Sequence, residues 1–167
     1  TTSKLIYHIL KNSGFNVGLA GNIGYSFSES IVENQFDYYV LEVSSFQLDH
    51  IINFRPDISI ITNITPDHLD RYDNKLEKYV DAKFNIISNQ KSSDYFIYCG
   101  DCSVTTNKIN NINNKPTAIS FHTCDNKNQQ KNFLIHYKNK IKSSINNNEN
   151  MIDITKTSLL GLHNVKN

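Results

Sequence analysis

Apolar positions along the chain switch several times between helical and extended spacing. Leu5, Ile6, Ile9 and Leu10 share one helical face behind the cap-type residues Thr1, Thr2 and Ser3, and Gly14 closes the pattern. This predicts an N-terminal helix. Asn16-Val-Gly-Leu-Ala20 predicts a short buried strand, and Gly21-Asn-Ile-Gly24 a turn. Ser28 to Asn34 predicts a short helix with Ile31 and Val32 inward.

Two runs, Tyr38-Tyr-Val-Leu-Glu-Val43 and Ile58-Ser-Ile-Ile-Thr-Asn-Ile64, are continuously apolar rather than alternating. Such runs mark strands covered on both faces, as in a parallel sheet. Phe46 to Ile52 reads as helical, Lys75 to Ser88 as an amphipathic helix, and Tyr95-Phe-Ile-Tyr98 as a further strand. Strand and helix alternate, so the expected fold class is α/β, with a doubly wound, mostly parallel sheet. From Thr105 to Asn150 Asn and Lys dominate, and apolar residues come in short alternating sets around Ala118, Phe133, Lys140 and Met151. These predict a small antiparallel sheet over residues 105 to 155, with Asn146-Asn-Asn-Glu-Asn150 as a turn or flexible tip.

The 167 residues suffice for one domain with a substantial core. A net charge of +1 gives no field suited to nucleic acid or to an anionic membrane. No run is long and apolar enough for a membrane span, and no signal peptide opens the sequence, so a cytoplasmic location is expected. Three cysteines do not make a secreted disulfide framework. Cys99-Gly-Asp-Cys102 has the spacing of a redox pair or of half a zinc site, but zinc needs a second pair and Cys124 stands alone.

In open parallel sheets ligands bind beyond the carboxyl ends of the strands. Asn22, Glu42, Ser44, Asp67 and His68 fall at such ends. Taken alone, Asn22 reads as a turn former. Glu42 interrupts an apolar run, where a carboxylate is costly without a partner. Lys83 occupies an inward position of the stripe Leu76, Val80, Lys83 and Ile87. The commoner reading of such a lysine is one that snorkels to solvent. The other is an amine held neutral by burial, which adds carbon dioxide and becomes a carbamate. Glu42, His68 and a carbamylated Lys83 would then offer oxygen and nitrogen ligands of the kind magnesium takes. His8, His50, His122 and His136 read as surface or structural residues.

Leu41-Glu-Val-Ser-Ser-Phe-Gln-Leu48, Thr62-Asn-Ile-Thr-Pro-Asp-His-Leu-Asp-Arg-Tyr72 and Tyr79-Val-Asp-Ala-Lys83 resemble motifs of the Mur ligases. Gly21-Asn-Ile-Gly24 and the closing Gly161-Leu-His-Asn-Val-Lys-Asn167 fit as well. The Ser-Ser-Phe-Gln form is similar to the D-glutamate-adding branch. The resemblance covers nearly the whole chain and corresponds to the family's central domain. It implies an N-terminal uridine-nucleotide domain and a C-terminal domain outside this sequence, and a Gly-rich phosphate loop before Thr1. On that expectation the isolated piece is inactive.

The resemblance implies a peptidoglycan ligase that uses ATP and Mg2+ to join D-glutamate to UDP-N-acetylmuramoyl-L-alanine through an acyl phosphate. A monomer is expected, with no nucleic-acid or membrane partner. Alternatives are another Mur ligase, a folylpolyglutamate synthase-like amide ligase, or a nucleotide-binding module without catalysis. By resemblance Glu42 and His68 are magnesium ligands, and Lys83 is the carbamylated lysine. Asn22, Ser44 and Tyr79 lie toward the muramoyl substrate, and Asn164 and Asn167 toward ATP. Thr1 and Thr2 resemble the hydroxyl-rich start of the helix behind the phosphate loop, which makes Thr1 a further ATP candidate. The sequence departs from the family at Cys99-Gly-Asp-Cys102, where relatives tend to carry Asn-x-Asp-Asp, and this lowers the redox reading.

Overall fold

The helical spacing at the N-terminus becomes α1 (Thr2–Asn12), closed by backbone bonds from Ser13 and Gly14 to the last carbonyls. The computed structural model describes residues 1–123, 132–137 and 140–155. The chain divides into two compact units, Thr1–His50 and Ile51–Asn167.

In the first unit β1 (Val17–Gly21), α2 (Phe27–Glu33), β2 (Tyr38–Glu42) and the single turn α3 (Ser45–Leu48) follow α1. β1 and β2 pair in parallel, in register from Val17↔Tyr38 to Gly21↔Glu42, and α1 packs on both. Parallel neighbours need a crossover, and α2 supplies it. The inward face expected for α2 is corrected: Ile31 is 51% and Val32 86% exposed, and Ser30 is the buried position. A small side chain at the contact lets the short helix lie close to β1.

The second unit holds one six-stranded sheet in the order β3 (Ile58–Ile61), β4 (Tyr95–Cys99), β5 (Thr117–His122), β6 (Phe133–Tyr137), β7 (Lys140–Ile145) and β8 (Asn148–Asp153). The first four strands are parallel. α4 (Leu76–Phe84), extended by a 3-10 turn at Asn85–Ile87, leads from β3 to β4, and α5 (Ser103–Asn110) leads from β4 to β5. Phe96 and Tyr98, fully buried on one face of β4, stack at 5.5 Å, and Phe84 of α4 meets Phe96 edge-on at 5.7 Å. The mostly parallel α/β class therefore holds.

The antiparallel set is narrower than its expected span and belongs to the same sheet. β5, expected among the antiparallel strands, pairs with β4 in parallel, and antiparallel pairing starts at β6–β7. α5 was not expected, because Ser-Val-Thr-Thr-Asn-Lys-Ile-Asn is rich in weak helix formers. The parallel β4–β5 pairing demands a crossover there, and Thr105 and Ile109, one turn apart, bury the inward face. Asn146 (φ 51°) and Asn147 (φ 66°) make the two-residue turn between β7 and β8, shorter than the expected turn over 146–150, because Asn148, Glu149 and Asn150 pair with β7.

Candidate functional site

The register Gly21↔Glu42 brings the carboxyl ends of β1 and β2 side by side. Gly21 has φ +104°, and a Cβ there would fall 2.4 Å from the Glu42 carbonyl oxygen, so only glycine fits. The close approach lets the Asn22 N–H donate to the Glu42 carbonyl at 2.7 Å. Asn22 is exposed at this rim. The Glu42 side chain is half-buried, and its Oε2 accepts a hydrogen bond from Ser3 Oγ at 2.9 Å. Ser3 lies in the first turn of α1, where backbone N–H groups lack intrahelical partners and favour negative charge. Thr1 is the N-cap of that helix; its exposed side chain makes no capping bond. The sequence marks Ser3 only as a cap-type residue of the Thr-Thr-Ser opening; the structure adds its bond to Glu42.

Ser44 caps α3 in a reciprocal box. Its hydroxyl accepts from the Gln47 N–H at 3.3 Å, and its own N–H donates to Gln47 Oε1 at 2.9 Å. The Ser-Ser-Phe-Gln text thus has a local structural cause: it turns the chain sharply after Glu42.

In the second unit His68 stands at φ 49°, a left-handed conformation that costs a residue with a Cβ about 1–2 kcal/mol. It starts the 3-10 turn Leu69–Tyr72, and its exposed imidazole lies 3.6 Å from the Asp67 carboxylate. That turn packs on α4 through Tyr72 and Tyr79, whose rings are 5.4 Å apart. Lys83 follows one turn later on α4, half-buried, with Nζ 4.8 Å from the centre of the Tyr79 ring. Tyr79 itself is 5% exposed. Its ring meets both Tyr72 and Lys83, which makes it a floor on which the lysine rests and a link to the His68 turn. Ammonium-on-ring contacts of this kind contribute about 0.5–2 kcal/mol, enough to bias the rotamer of a long side chain.

Glu42 with the Ser3 hydroxyl supplies hard oxygen donors, which suit magnesium and not a soft metal. No group of three or more His, Cys, Asp or Glu side chains able to hold a metal occurs among the described residues. Asn164 and Asn167, and the Gly161-Leu-His-Asn164 text before them, lie outside the described residues, as does Cys124.

One buried charged group escaped the sequence reading. Asp94 pairs with Arg55 through Nε at 2.8 Å and Nη2 at 2.7 Å, and also accepts from the Lys91 N–H at 2.7 Å. The Arg55 hydrogen bond, then the Lys91 amide, hold the Asp94 carboxyl at about 2. Gln90 nearby accepts from Ser59 and donates to the carbonyls of Pro56 and Tyr95. Both groups sit at the amino ends of β3 and β4, away from the strand ends where ligands bind. They fix the entry of the two strands.

The chain matches the Mur ligase middle domain over residues 1–167. It is 58% identical over 101 residues to a UDP-N-acetylmuramoylalanine–D-glutamate ligase of Bacteroides fragilis, covering 60% of this chain and 23% of that protein. It is 43% identical over 169 residues to the ligase of the same name from Christiangramia forsetii, covering 100% of this chain and 37% of that protein. The chain therefore spans well under half the length of these relatives. Among solved structures it resembles the MurF ligase of Thermotoga maritima in complex with ADP, with a TM-score of 0.62 and 18% identity over 91% of this chain and 37% of the other. It also resembles the murein peptide ligase of Psychrobacter arcticus, with a TM-score of 0.63 and 15% identity over 99% of this chain and 38% of the other. Among the described residues no helix is long and apolar enough to cross a membrane. With a full-length family match, relatives of one name and the fold of two solved ligases, the chain belongs to the Mur ligase family as its middle domain.

Proposed function

We propose that this chain is the ATP-binding core of a ligase that joins D-glutamate to UDP-N-acetylmuramoyl-L-alanine in peptidoglycan synthesis. The observation that carries the reading is the Ser3–Glu42 contact, a carboxylate at a strand end held by a hydroxyl at a helix start. The N-terminal turn of α1 attracts phosphate oxygens through its free N–H groups. Glu42 and the hydroxyls of the first turn would hold magnesium there, and His68 and a carbamylated Lys83 would hold a second ion. Bound magnesium supplies neutralisation of phosphate charge.

A carboxylate does not react with an amine at neutral pH, because its oxygen is a poor leaving group. Transfer of the γ-phosphoryl group from ATP to the substrate carboxylate forms an acyl phosphate and releases ADP. The D-glutamate amine then attacks the acyl carbon, the C–N bond forms, and phosphate leaves with the C–O electron pair. Asn22 and Ser44, at the same rim as Glu42, would meet the muramoyl substrate. Tyr79 supports Lys83 from below. Carbamate formation needs the neutral amine: nitrogen adds to carbon dioxide and one proton is lost.

The test uses the full-length enzyme that carries this chain. ADP release should require UDP-N-acetylmuramoyl-L-alanine, D-glutamate and magnesium together. Equal stimulation by L-lysine or meso-diaminopimelate would replace this reading with that of another Mur ligase. ADP release in none of these mixtures would overturn this reading and leave a folylpolyglutamate synthase-like amide ligase or a nucleotide-binding module.

A further inference from the structure

Cys99 ends β4 and Cys102 is the N-cap of α5. The Cys102 N–H donates to the Cys99 carbonyl at 3.3 Å, which closes a four-residue turn. Turns of this type hold their end Cα atoms within about 7 Å, a separation that a disulfide spans. The turn is held from outside as well. The Gly100 N–H donates to the Phe121 carbonyl at 2.8 Å, and Asp101 Oδ2 accepts from the Thr123 N–H at 2.8 Å and its hydroxyl at 2.7 Å. Asp101 Oδ1 lies 3.0 Å from His122 Nδ1, and the imidazole covers Gly100 so closely that a Cβ there would fall 2.2 Å from the ring. His122 Nε2 lies 3.0 Å from Ser120 Oγ. Asp, His and Ser in this order suggest a hydrolytic triad, but Ser120 is 1% exposed and has no access to substrate. The three residues clamp the turn instead.

The two thiols have unlike surroundings. Cys99 is buried, and burial pushes its thiol up. Burial also opposes ionisation of Cys102, but the Thr105 side chain and the amides of Thr105, Ile64 and Val104 together bring it below the ordinary thiol value. The Thr105 hydroxyl is fully buried without a well-directed partner, and the Cys102 sulfur is the group beside it. Cys102 is half-buried and thus the more accessible of the pair.

We propose that Cys99 and Cys102 form a reversible dithiol–disulfide pair that reacts with peroxide, Cys102 first. The Cys102 thiolate attacks one oxygen of hydrogen peroxide; the S–O bond forms, the O–O bond breaks, and the departing hydroxide is protonated to water. The Cys99 thiol then attacks the sulfenic sulfur. The S–S bond forms, and the sulfenic oxygen leaves with the Cys99 proton as a second water. Two thiols are oxidised and one peroxide is reduced to two waters. The clamped turn fixes the backbone of both cysteines before reaction, which favours ring closure over further oxidation. The pair includes no residue given a role in the proposed ligase chemistry.

The test is peroxide treatment of the full chain followed by tryptic mapping. One tryptic segment, Ser92 to Lys108, contains both cysteines and excludes Cys124. It should become two hydrogens lighter, resist iodoacetamide, and regain both reactive thiols with dithiothreitol. Cys99→Ser should stop the reaction at a sulfenic acid on Cys102 that dimedone traps, and Cys102→Ser should leave Cys99 a thiol. The proposal fails if both cysteines alkylate as before treatment, if either pairs with Cys124, or if Cys102 passes to sulfinic acid with no lighter segment.

Discussion

The Ser3 hydroxyl donates to the Glu42 carboxylate at 2.9 Å across 39 residues of sequence, tying the first turn of α1 to the end of β2. The contact separates two roles by experiment. Glu42→Gln in the full-length enzyme keeps the shape and removes the charge, and we expect ATP turnover to fall at least about 100-fold, the scale of losing an electrostatic partner in a phosphoryl-transfer site. Ser3→Ala removes one hydrogen bond to a part-buried charge, and a loss of about 1–2 kcal/mol in apparent magnesium affinity is expected. Titration of magnesium against ADP release measures both. Equal effects of the two substitutions would mean that Glu42 serves only as the acceptor for Ser3.

Asp94 gives a pH dependence with a definite sign. Its folded-state carboxyl sits at about 2, below the ordinary value of 3.8, chiefly through Arg55. A depressed carboxylate stabilises the fold fully above its unfolded value, and that contribution disappears as pH falls from 3.8 toward 2. The wild-type thermal midpoint should therefore fall more steeply over that window than that of Asp94→Asn. Above pH 5 the wild type should be the more stable by a constant margin. Parallel curves would show that the Arg55 pair does not depend on ionisation. Arg55→Lys should recover little, because an ammonium cannot reproduce the two-pronged contact made by Nε and Nη2.

Gly100 answers to sterics alone. A methyl group there meets the His122 ring at 2.2 Å, so Gly100→Ala must displace the imidazole from Asp101 and Ser120. Overpacking of this kind costs about 1–3 kcal/mol, readable from urea unfolding. Gly100→Ala in a His122→Ala background should cost markedly less, since the ring it strikes is gone. Additive costs would place the strain elsewhere.

How much of this was legible in the sequence depended on whether the cause was local. The strand ends at Glu42 and near His68 showed as breaks in apolar runs, and Lys83 showed as a charge on an inward stripe. The box at Ser44 and Gln47 and the turn at Asn146 and Asn147 each follow from a few neighbouring residues. Ile31 and Val32 were misplaced because seven residues of helix leave the buried face to tertiary contact, here at Ser30. α5 was missed because the β4–β5 crossover overrides a sequence poor in helix formers. Ser3–Glu42, Arg55–Asp94 and Asp101–His122 join residues 39, 39 and 21 positions apart. No local pattern announces such pairs.

Lys83 offers the sharpest test of the roles proposed for residues of the second unit. It is half-buried, with its ammonium position 4.8 Å from the Tyr79 ring centre, and Tyr79 in turn leans on Tyr72 of the His68 turn. If Lys83 acts as a carbamate, Lys83→Ala in the full-length enzyme should lose turnover by at least about 100-fold, the scale of removing a charged group from a phosphoryl-transfer site. A short carboxylate such as acetate or formate, supplied at high concentration, should restore part of it by filling the vacated space with the same charge. Lys83→Arg should not be rescued, because its side chain still occupies that space. Tyr79→Leu should retain the carbamate chemistry but loosen the lysine, so its turnover should fall less than that of Lys83→Ala and stay insensitive to added carboxylate. Unchanged turnover in Lys83→Ala would reduce the residue to a lysine whose stem covers apolar surface while its charge reaches water.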